Sequence, residues 1–320
     1  MSTFKVSELF AGVGGLRLAA EAAGGTCVFS SEIDLACREV YEANHGDVPA
    51  GDLALAVPRQ VPPHDLCLAS PPCTPFSQAG LQGGLADERA NVLYSLFRFL
   101  AGCRPRVTLV ENVPALAASG EGRTFRLVLR TLRGLGYRVS WAVLPATRFG
   151  GCQLRRRLYF VASLGRRFDF SRLPAMLPGR VADILEPNPA DTRWLREDEY
   201  TLLEEPAAGG SGMVFVGYRR KPMRYPDGDV RDPSNHRQQN RVYAAEGVGP
   251  TISSQDATGR YWVRLDVGVR KLTRLEMARM QGFPDKFRWV RPERMVGQVG
   301  NSVHVPTVAA ILRGVAEQLL

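Results

Sequence analysis

Apolar and polar positions alternate through Phe4-Lys-Val-Ser-Glu-Leu-Phe10, the two-residue period of a β-strand. The alternation breaks at Ala11-Gly-Val-Gly-Gly-Leu16, and a helix follows whose apolar content is Leu16, Leu18, Ala19, Ala20 and Ala23 before Gly24-Gly25 stops it. A second strand, Thr26-Cys-Val-Phe-Ser30, leads into Ser31-Glu32-Ile33-Asp34, and a third element ends at a further strand end, Gly51-Asp52-Leu53. Asp65-Leu-Cys-Leu-Ala69 is an apolar run bounded by turn signals, which predicts a short buried strand. Beyond it the pattern predicts a helix from about Arg89 to Ala101 and a buried strand over Arg106-Val-Thr-Leu-Val110. A basic helix from Arg123 to Leu135, a strand from Tyr137 to Leu144 and a buried strand Leu158-Tyr-Phe-Val-Ala162 complete the series. Strand, turn and helix in succession predict an α/β fold of the nucleotide-binding kind, in which ligands sit beyond the carboxyl ends of the strands. From about 176 to 268 proline and glycine rise and the strands become short and irregular, which marks a second unit.

Composition adds limits. At 320 residues the chain can bury a large core and two domains are expected. No apolar run approaches the roughly 20 residues that span a bilayer. Met1-Ser-Thr-Phe-Lys5 enters a strand pattern directly, so no signal peptide is visible and a cytoplasmic location is expected. The cysteines at 27, 37, 67, 73, 103 and 152, and the histidines at 45, 64, 236 and 304, show no ligand spacing. A structural metal and a disulfide framework are therefore not expected. The net charge is +9, and only Lys5, Lys221, Lys271 and Lys286 are lysines. Twelve arginines fall between Arg123 and Arg172 against the single acid Asp169, whereas 176–268 is slightly acidic. A basic face on the first half is the footprint expected for a polyanion.

Several positions carry candidate chemistry. The glycine turn lets a ligand approach the backbone beside a helix N-terminus, and Glu32, about 20 residues on, has the spacing of an acid that holds ribose hydroxyls. No second phosphate cradle follows, so a nucleoside without diphosphate is favoured. A tight structural turn would also explain the glycines, and Asp34 and Asp52 would also serve as helix caps. In Ser70-Pro-Pro-Cys-Thr-Pro-Phe-Ser77 the prolines stiffen the backbone around Cys73 and stand its thiol at a strand's carboxyl end. Cys73 is a candidate nucleophile that needs its site to favour the thiolate; an inert cysteine in a proline-rich turn is the alternative. Gln78-Ala-Gly-Leu-Gln-Gly-Gly-Leu85 has the composition of a closing lid. Glu111, in Glu111-Asn112-Val113-Pro114, is a candidate general acid, or with Asn112 a capping pair before a helix. In Gln153-Leu-Arg-Arg-Arg157 the arginines abut a core strand, so alternate ones can point into the cleft.

Taken in order, these residues resemble the DNA (cytosine-5)-methyltransferases. Leu9 to Leu16 resembles the family's Phe-Ala-Gly-x-Gly-Gly motif for S-adenosylmethionine, with Glu8 where aspartate is usual. Pro71-Pro-Cys-x-Pro-Phe-Ser77 resembles the nucleophile motif, Glu111-Asn112-Val113 the acid motif and Gln153-x-Arg155-x-Arg157 the arginine motif. Arg270-Lys-Leu-Thr-Arg-Leu-Glu276 with Met280-Gln-Gly-Phe-Pro284 resembles the ninth motif, and Gly300-Asn-Ser-Val303 with Val305-Pro306 the tenth. The resemblance implies a Rossmann-like S-adenosylmethionine-dependent sheet with helices on both faces, plus a smaller, mostly β target-recognition domain. It divides the chain into a catalytic and cofactor-binding domain at 1–175 completed by 298–320, a recognition domain at 176–268, and a hinge with the ninth motif at 269–297.

The same resemblance assigns roles. Cys73 is implied as the nucleophile on carbon 6 of a flipped-out cytosine, Glu111 as the group at ring nitrogen 3, and Arg155 as the holder of the base oxygen with Arg157 beside it. S-adenosylmethionine, leaving as S-adenosylhomocysteine, is implied at Phe10, Ala11, Gly12, Val13, Gly15, Leu16, Glu32, Ile33, Asp52, Leu53, Pro72, Asn301, Ser302 and Val303. DNA contacts are implied for Ser77, Gln78, Arg89, Gln153, Arg219, Arg220, Gln238, Gln239, Arg241 and Thr251, with no metal. Gln238 or Gln239 would fill the gap left by the base, and Thr251 would meet a phosphate. The implied partner is double-stranded DNA, with a cognate restriction endonuclease as a possible second one, and the chain is expected to act as a nucleoid-associated monomer. A tRNA cytosine-5 methyltransferase on the same scaffold lacks support, because its Cys-Phe-Thr signature is absent. A catalytically silent DNA-binding regulator is the other alternative, against which the intact Cys73, Glu111 and Arg155 argue.

Overall fold

The computed structural model describes residues 3–72, 90–118, 122–190, 192–208, 212–220, 223–224, 230–231, 240–254 and 261–320. The chain opens with β1 (Phe4–Leu9), α1 (Gly15–Ala22), β2 (Gly25–Ser31) and α2 (Leu35–His45). It continues through β3 (Leu66–Ala69), α3 (Ala90–Cys103), β4 (Val107–Asn112), α4 (Ala115–Ala118), α5 (Arg123–Gly134), β5 (Arg138–Pro145) and β6 (Arg156–Ser163). These six strands form one sheet in the order β2-β1-β3-β4-β6-β5. The first four strands in that order run parallel, and β6 is antiparallel to both neighbours.

Every residue of β3 and β4 is buried, as a sheet covered on both faces requires. Alternate residues enter opposite cores. Leu66, Leu68, Val107, Leu109, Tyr159 and Val161 face one side, where α1 and the last helix close over them. Cys67, Ala69, Val110, Leu158, Phe160 and Ala162 face the other, against α3 and α5. The α/β architecture expected from the sequence is therefore present. One detail differs: no strand precedes Asp52. Ala50 makes only an isolated parallel bridge to Ser31, because Pro49 has no amide to donate and Asp52 caps the 3-10 turn Leu53–Leu55 by accepting from Ala54 N at 2.8 Å.

The second sheet takes its strands from β7 (Trp194–Leu195), β8 (Tyr200–Ala208), β9 (Val214–Arg219), β12 (Arg241–Ala244), β13 (Trp262–Leu265) and β14 (Gly268–Lys271). The short pair β10 (Met223–Arg224) and β11 (Val230–Arg231) stands apart from it. Its order is β7-β14-β13-β12-β9-β8, antiparallel except between β12 and β13. Its own core is small: Leu195, Val242, Trp262 and Val269. A larger apolar cluster bridges it to the glycine turn through Val13, Ile252, Tyr261, Leu272, Met277 and Val299. That bridge includes α6 (Arg274–Gln281) and α7 (Met295–Asn301); α8 (Val305–Leu319) then returns to pack on α1. No helix among the described residues is long and apolar enough to cross a membrane.

Candidate active site

At the carboxyl end of β1 the chain turns through Gly12 and Gly14, whose φ angles of 56° and 90° are accessible to glycine at little cost. Gly14 caps α1 without a side chain, and β1 supplies the missing acceptor. Glu8 Oε1 accepts from Arg17 N at 3.0 Å, and Oε2 accepts from the Tyr41 hydroxyl at 2.9 Å. Burial pushes the Glu8 carboxyl up to about 8, against the pull of both donors. Glu32 supports the same turn: Oε2 accepts from Gly12 N at 2.7 Å and Oε1 from Asp34 N at 2.8 Å. Asp34 itself caps α2, accepting from Ala36 N at 2.8 Å and Cys37 N at 3.2 Å.

The turn forms one wall of a cavity of about 730 Å³. Residues 10–13, 15–16 and 301–303 line it, so most of the expected cofactor positions are brought together from opposite ends of the chain. A Cβ on Gly15 would collide with Ser302 Oγ, so glycine is what lets these two segments touch. The other expected cofactor positions are not part of that wall. Glu32 lies behind it, bonded to Gly12 N. Ile33 is 70% exposed beside it, and Pro72 is exposed. Asp52 is occupied as a cap, and the Leu53 side chain belongs to the core under α3 rather than to a ligand surface.

The second half of the site gathers where β3, β4 and β6 end. Glu111 is 5% exposed. Ser70 Oγ donates to its Oε2 at 2.7 Å. Arg157 Nε stands 3.1 Å from Oε1, close enough to attract but out of line for a hydrogen bond, so Oε1 has no hydrogen-bond donor among the described residues. A buried carboxylate oxygen without a donor calls for a physical account, of which a catalytic role is one. Strand register explains the pairing. Glu111 lies directly opposite Tyr159 across the β4–β6 ladder, which makes Arg157 its diagonal neighbour on the same face. Asn112 Nδ2 donates to Pro71 O at 3.1 Å and so ties this strand end to the segment leading to Cys73.

Arg155 lies elsewhere. It precedes β6, is 2% exposed, and directs its guanidinium at the backbone carbonyls of Ile252, Gly300 and Ser302. Of the two arginines, Arg157 rather than Arg155 stands beside Glu111. Gln153 is fully buried: Nε2 donates to Met280 O and Gln281 Oε1, and Oε1 accepts from Ile252 N, so it does not face DNA. Thr251 spends its hydroxyl proton on Leu154 O, which leaves none for a phosphate. Arg219 lies over the Trp262 ring at 5.1 Å, Arg241 over the Phe215 ring at 5.5 Å, and Arg220 Nε donates to Thr201 Oγ1 at 2.6 Å. All three sit on or beside the second sheet. Cys73, Ser77, Gln78, Arg89, Gln238 and Gln239 lie outside the described residues. Sequence reasoning missed Ser70, Gln281 and the capping function of Glu8. Ser70 alone carried a signal, as the hydroxyl at a strand end just before the prolines.

Comparison with known proteins gives the lineage. The profile of the C-5 cytosine-specific DNA methylase family matches residues 4–317. Type II methyltransferase M.DsaV of Dactylococcopsis salina is 34% identical over 99% of this chain and 86% of its own. Type II methyltransferase M.NlaX of Neisseria lactamica is 35% identical over 99% of this chain and 96% of its own. Among solved structures, Dnmt2 methyltransferase of S. pombe superposes with a TM-score of 0.73 at 20% identity, covering 99% of both chains. With the family profile matched almost end to end, the chain belongs to the C-5 cytosine-specific DNA methylase family.

Proposed function

We propose that this protein is a site-specific DNA cytosine-5 methyltransferase of the type II modification class, using S-adenosylmethionine as methyl donor. The observation that carries the reading is Glu111. It is a buried carboxylate oriented by Ser70, with one oxygen left open beside Arg157 and linked through Asn112 and Pro71 to the Cys73 segment. The cavity fits the donor. Its 730 Å³ lies within the roughly 300–1,000 Å³ of small-ligand sites, and space is open where a Cβ on Gly12 would stand. Residues 10–13, 15–16 and 301–303 would hold the nucleoside, with Glu32 supporting the turn from behind.

When bound, S-adenosylmethionine supplies an electrophilic methyl on a sulfonium. Carbon 5 of cytosine is too weak a nucleophile to take it unaided. The Cys73 thiolate adds to carbon 6, breaks the ring's aromaticity and drives electron density toward carbon 5 and nitrogen 3. Glu111, carrying a proton on Oε1, donates it toward nitrogen 3 as charge builds there, and Arg157 holds Glu111 and the base oxygen. After transfer, solvent water takes the carbon 5 proton, the electron pair left behind re-forms the 5,6 double bond, and Cys73 leaves as the thiolate. The base must leave the duplex to reach these groups, at a cost on the order of a few kcal/mol.

We assign the catalytic domain to 1–175 with 298–320, target recognition to 176–268 and the hinge to 269–297. Arg219, Arg220 and Arg241 are the recognition-side contacts with DNA. Double-stranded DNA is the substrate, a cognate restriction endonuclease is the companion activity, and a cytoplasmic monomer is the working form. The test uses tritiated donor with plasmid DNA and with total tRNA. Label in plasmid cytosine supports the reading; label in tRNA alone, or in neither, refutes it.

A further inference from the structure

Arg155 is a fully buried cation that meets carbonyls rather than a carboxylate. Both terminal nitrogens donate to Gly300 O at 3.3 Å, one also reaches Ser302 O, and the other reaches Ile252 O at 3.4 Å. Burial and the neighbouring Arg157 push its guanidinium down to about 10. Burying a charge without a counter-ion costs free energy, so the contacts must return something.

The carbonyls it holds explain what. Gly300 lies in the last turn of α7 and Ser302 is its C-cap, where carbonyls have no intrahelical partner and the helix dipole favours a cation. Between those two carbonyls sits Asn301, which lines the cavity. Gln281 Nε2 adds a second donor to Ser302 O at 2.6 Å. The same turn is clamped on both flanks. A Cβ on Gly300 would strike the Ser253–Ser254 backbone, and Ser302 Oγ fills the space a Cβ on Gly15 would need.

We propose that Arg155 is a positioning residue for the cofactor pocket: by holding Gly300 O and Ser302 O it fixes the Asn301 wall, and through Ile252 O it joins that wall to the segment following β12. The proposal rests on reading the cavity as the S-adenosylmethionine site. It assigns Arg155 to donor binding rather than to the cytosine.

The experiment compares Arg155→Lys and Arg155→Met in the full chain with the wild type. It measures S-adenosylhomocysteine affinity by calorimetry and steady-state kinetics on duplex DNA. Leaving buried carbonyls without a donor is expected to weaken S-adenosylhomocysteine roughly tenfold or more. The KM for the donor should rise in parallel, while kcat at saturating donor falls far less. Unchanged affinity with a large loss of kcat would place Arg155 on the base and overturn the proposal. Unchanged affinity and kcat with a lowered melting temperature would make it a packing residue only, and would also overturn it. Should the Arg155 variants not fold, Gln281→Leu removes the other donor on Ser302 O. Weakened S-adenosylhomocysteine binding in that variant supports the clamp, and unaltered binding contradicts it. A wild-type chain that binds no S-adenosylhomocysteine would fail the cavity assignment itself, a result distinct from either variant outcome.

Discussion

Glu111 and Glu8 are both buried carboxyls in the same sheet, and their surroundings give them different work. Glu111 has Ser70 on one oxygen, Arg157 nearby and, among the described residues, no hydrogen-bond donor on the other oxygen. Glu111→Gln keeps the shape and removes the acid, so kcat is expected to fall by about 10²–10⁴. S-adenosylhomocysteine affinity should stay near wild type, as calorimetry would show. Glu8 faces no cavity and caps α1. Because its proton is held up to about 8, against a usual 4.5, folding takes up a proton between those values. Stability therefore falls as pH rises through that window. The buried His45 and His304, held down to about 4 and about 3, act in the opposite direction but only below 6.5. Between pH 6.5 and 8 the Glu8 contribution stands alone among these groups, with a slope of at most about 1.4 kcal/mol per pH unit. Denaturant titrations across that range should show the decline in the wild type and a flatter line in Glu8→Gln. Equal slopes would remove the assignment.

At the scale of elements, local pattern carried much of the reading. The alternation of β1, the glycine turn and Glu32 are contiguous signals, and so is the all-apolar β3. What a single sequence could not show was register. Whether Arg155 or Arg157 meets Glu111 depends on how β6 pairs with β4, and the ladder selects Arg157. Gln153 and Thr251 looked like DNA contacts because their types suit that work. Both are instead consumed by partners roughly 100 or more residues away in sequence, which no local pattern reports. The join between the two sheets was equally hidden. Glu276 in α6 accepts from Arg270 at 2.8 and 2.7 Å, from Thr273 N at 2.8 Å and from Glu186 N at 2.7 Å, with the pair essentially buried. Glu276→Ala leaves a buried cation and two amides unpaired. It should cost on the order of 3–5 kcal/mol in urea unfolding; a loss below about 1 kcal/mol would show that the pair does not brace the joint.

Across the whole molecule, one apolar cluster runs between the two sheets, and the proposed function gives chemistry to the first sheet and recognition to the second. The excess of positive charge, +9 overall with twelve arginines between Arg123 and Arg172, is the composition that suits the first half to a polyanion. The two-part α/β plan was legible because strand ends carrying chemistry recur in order along the chain. The cavity was legible in its glycine and Asn301 walls, and its clamp at Arg155 was not. The proposed chemistry turns on a transient bond between the Cys73 sulfur and carbon 6 of an extruded cytosine. Duplex DNA carrying 5-fluorocytosine in the target site blocks loss of the carbon 5 substituent, so the bond should persist. Incubated with donor and wild-type protein, it should give a covalent complex whose peptide mass places the base on Cys73, absent from Cys73→Ser. DNA methylated by the wild-type protein with no such adduct at Cys73 would contradict the account.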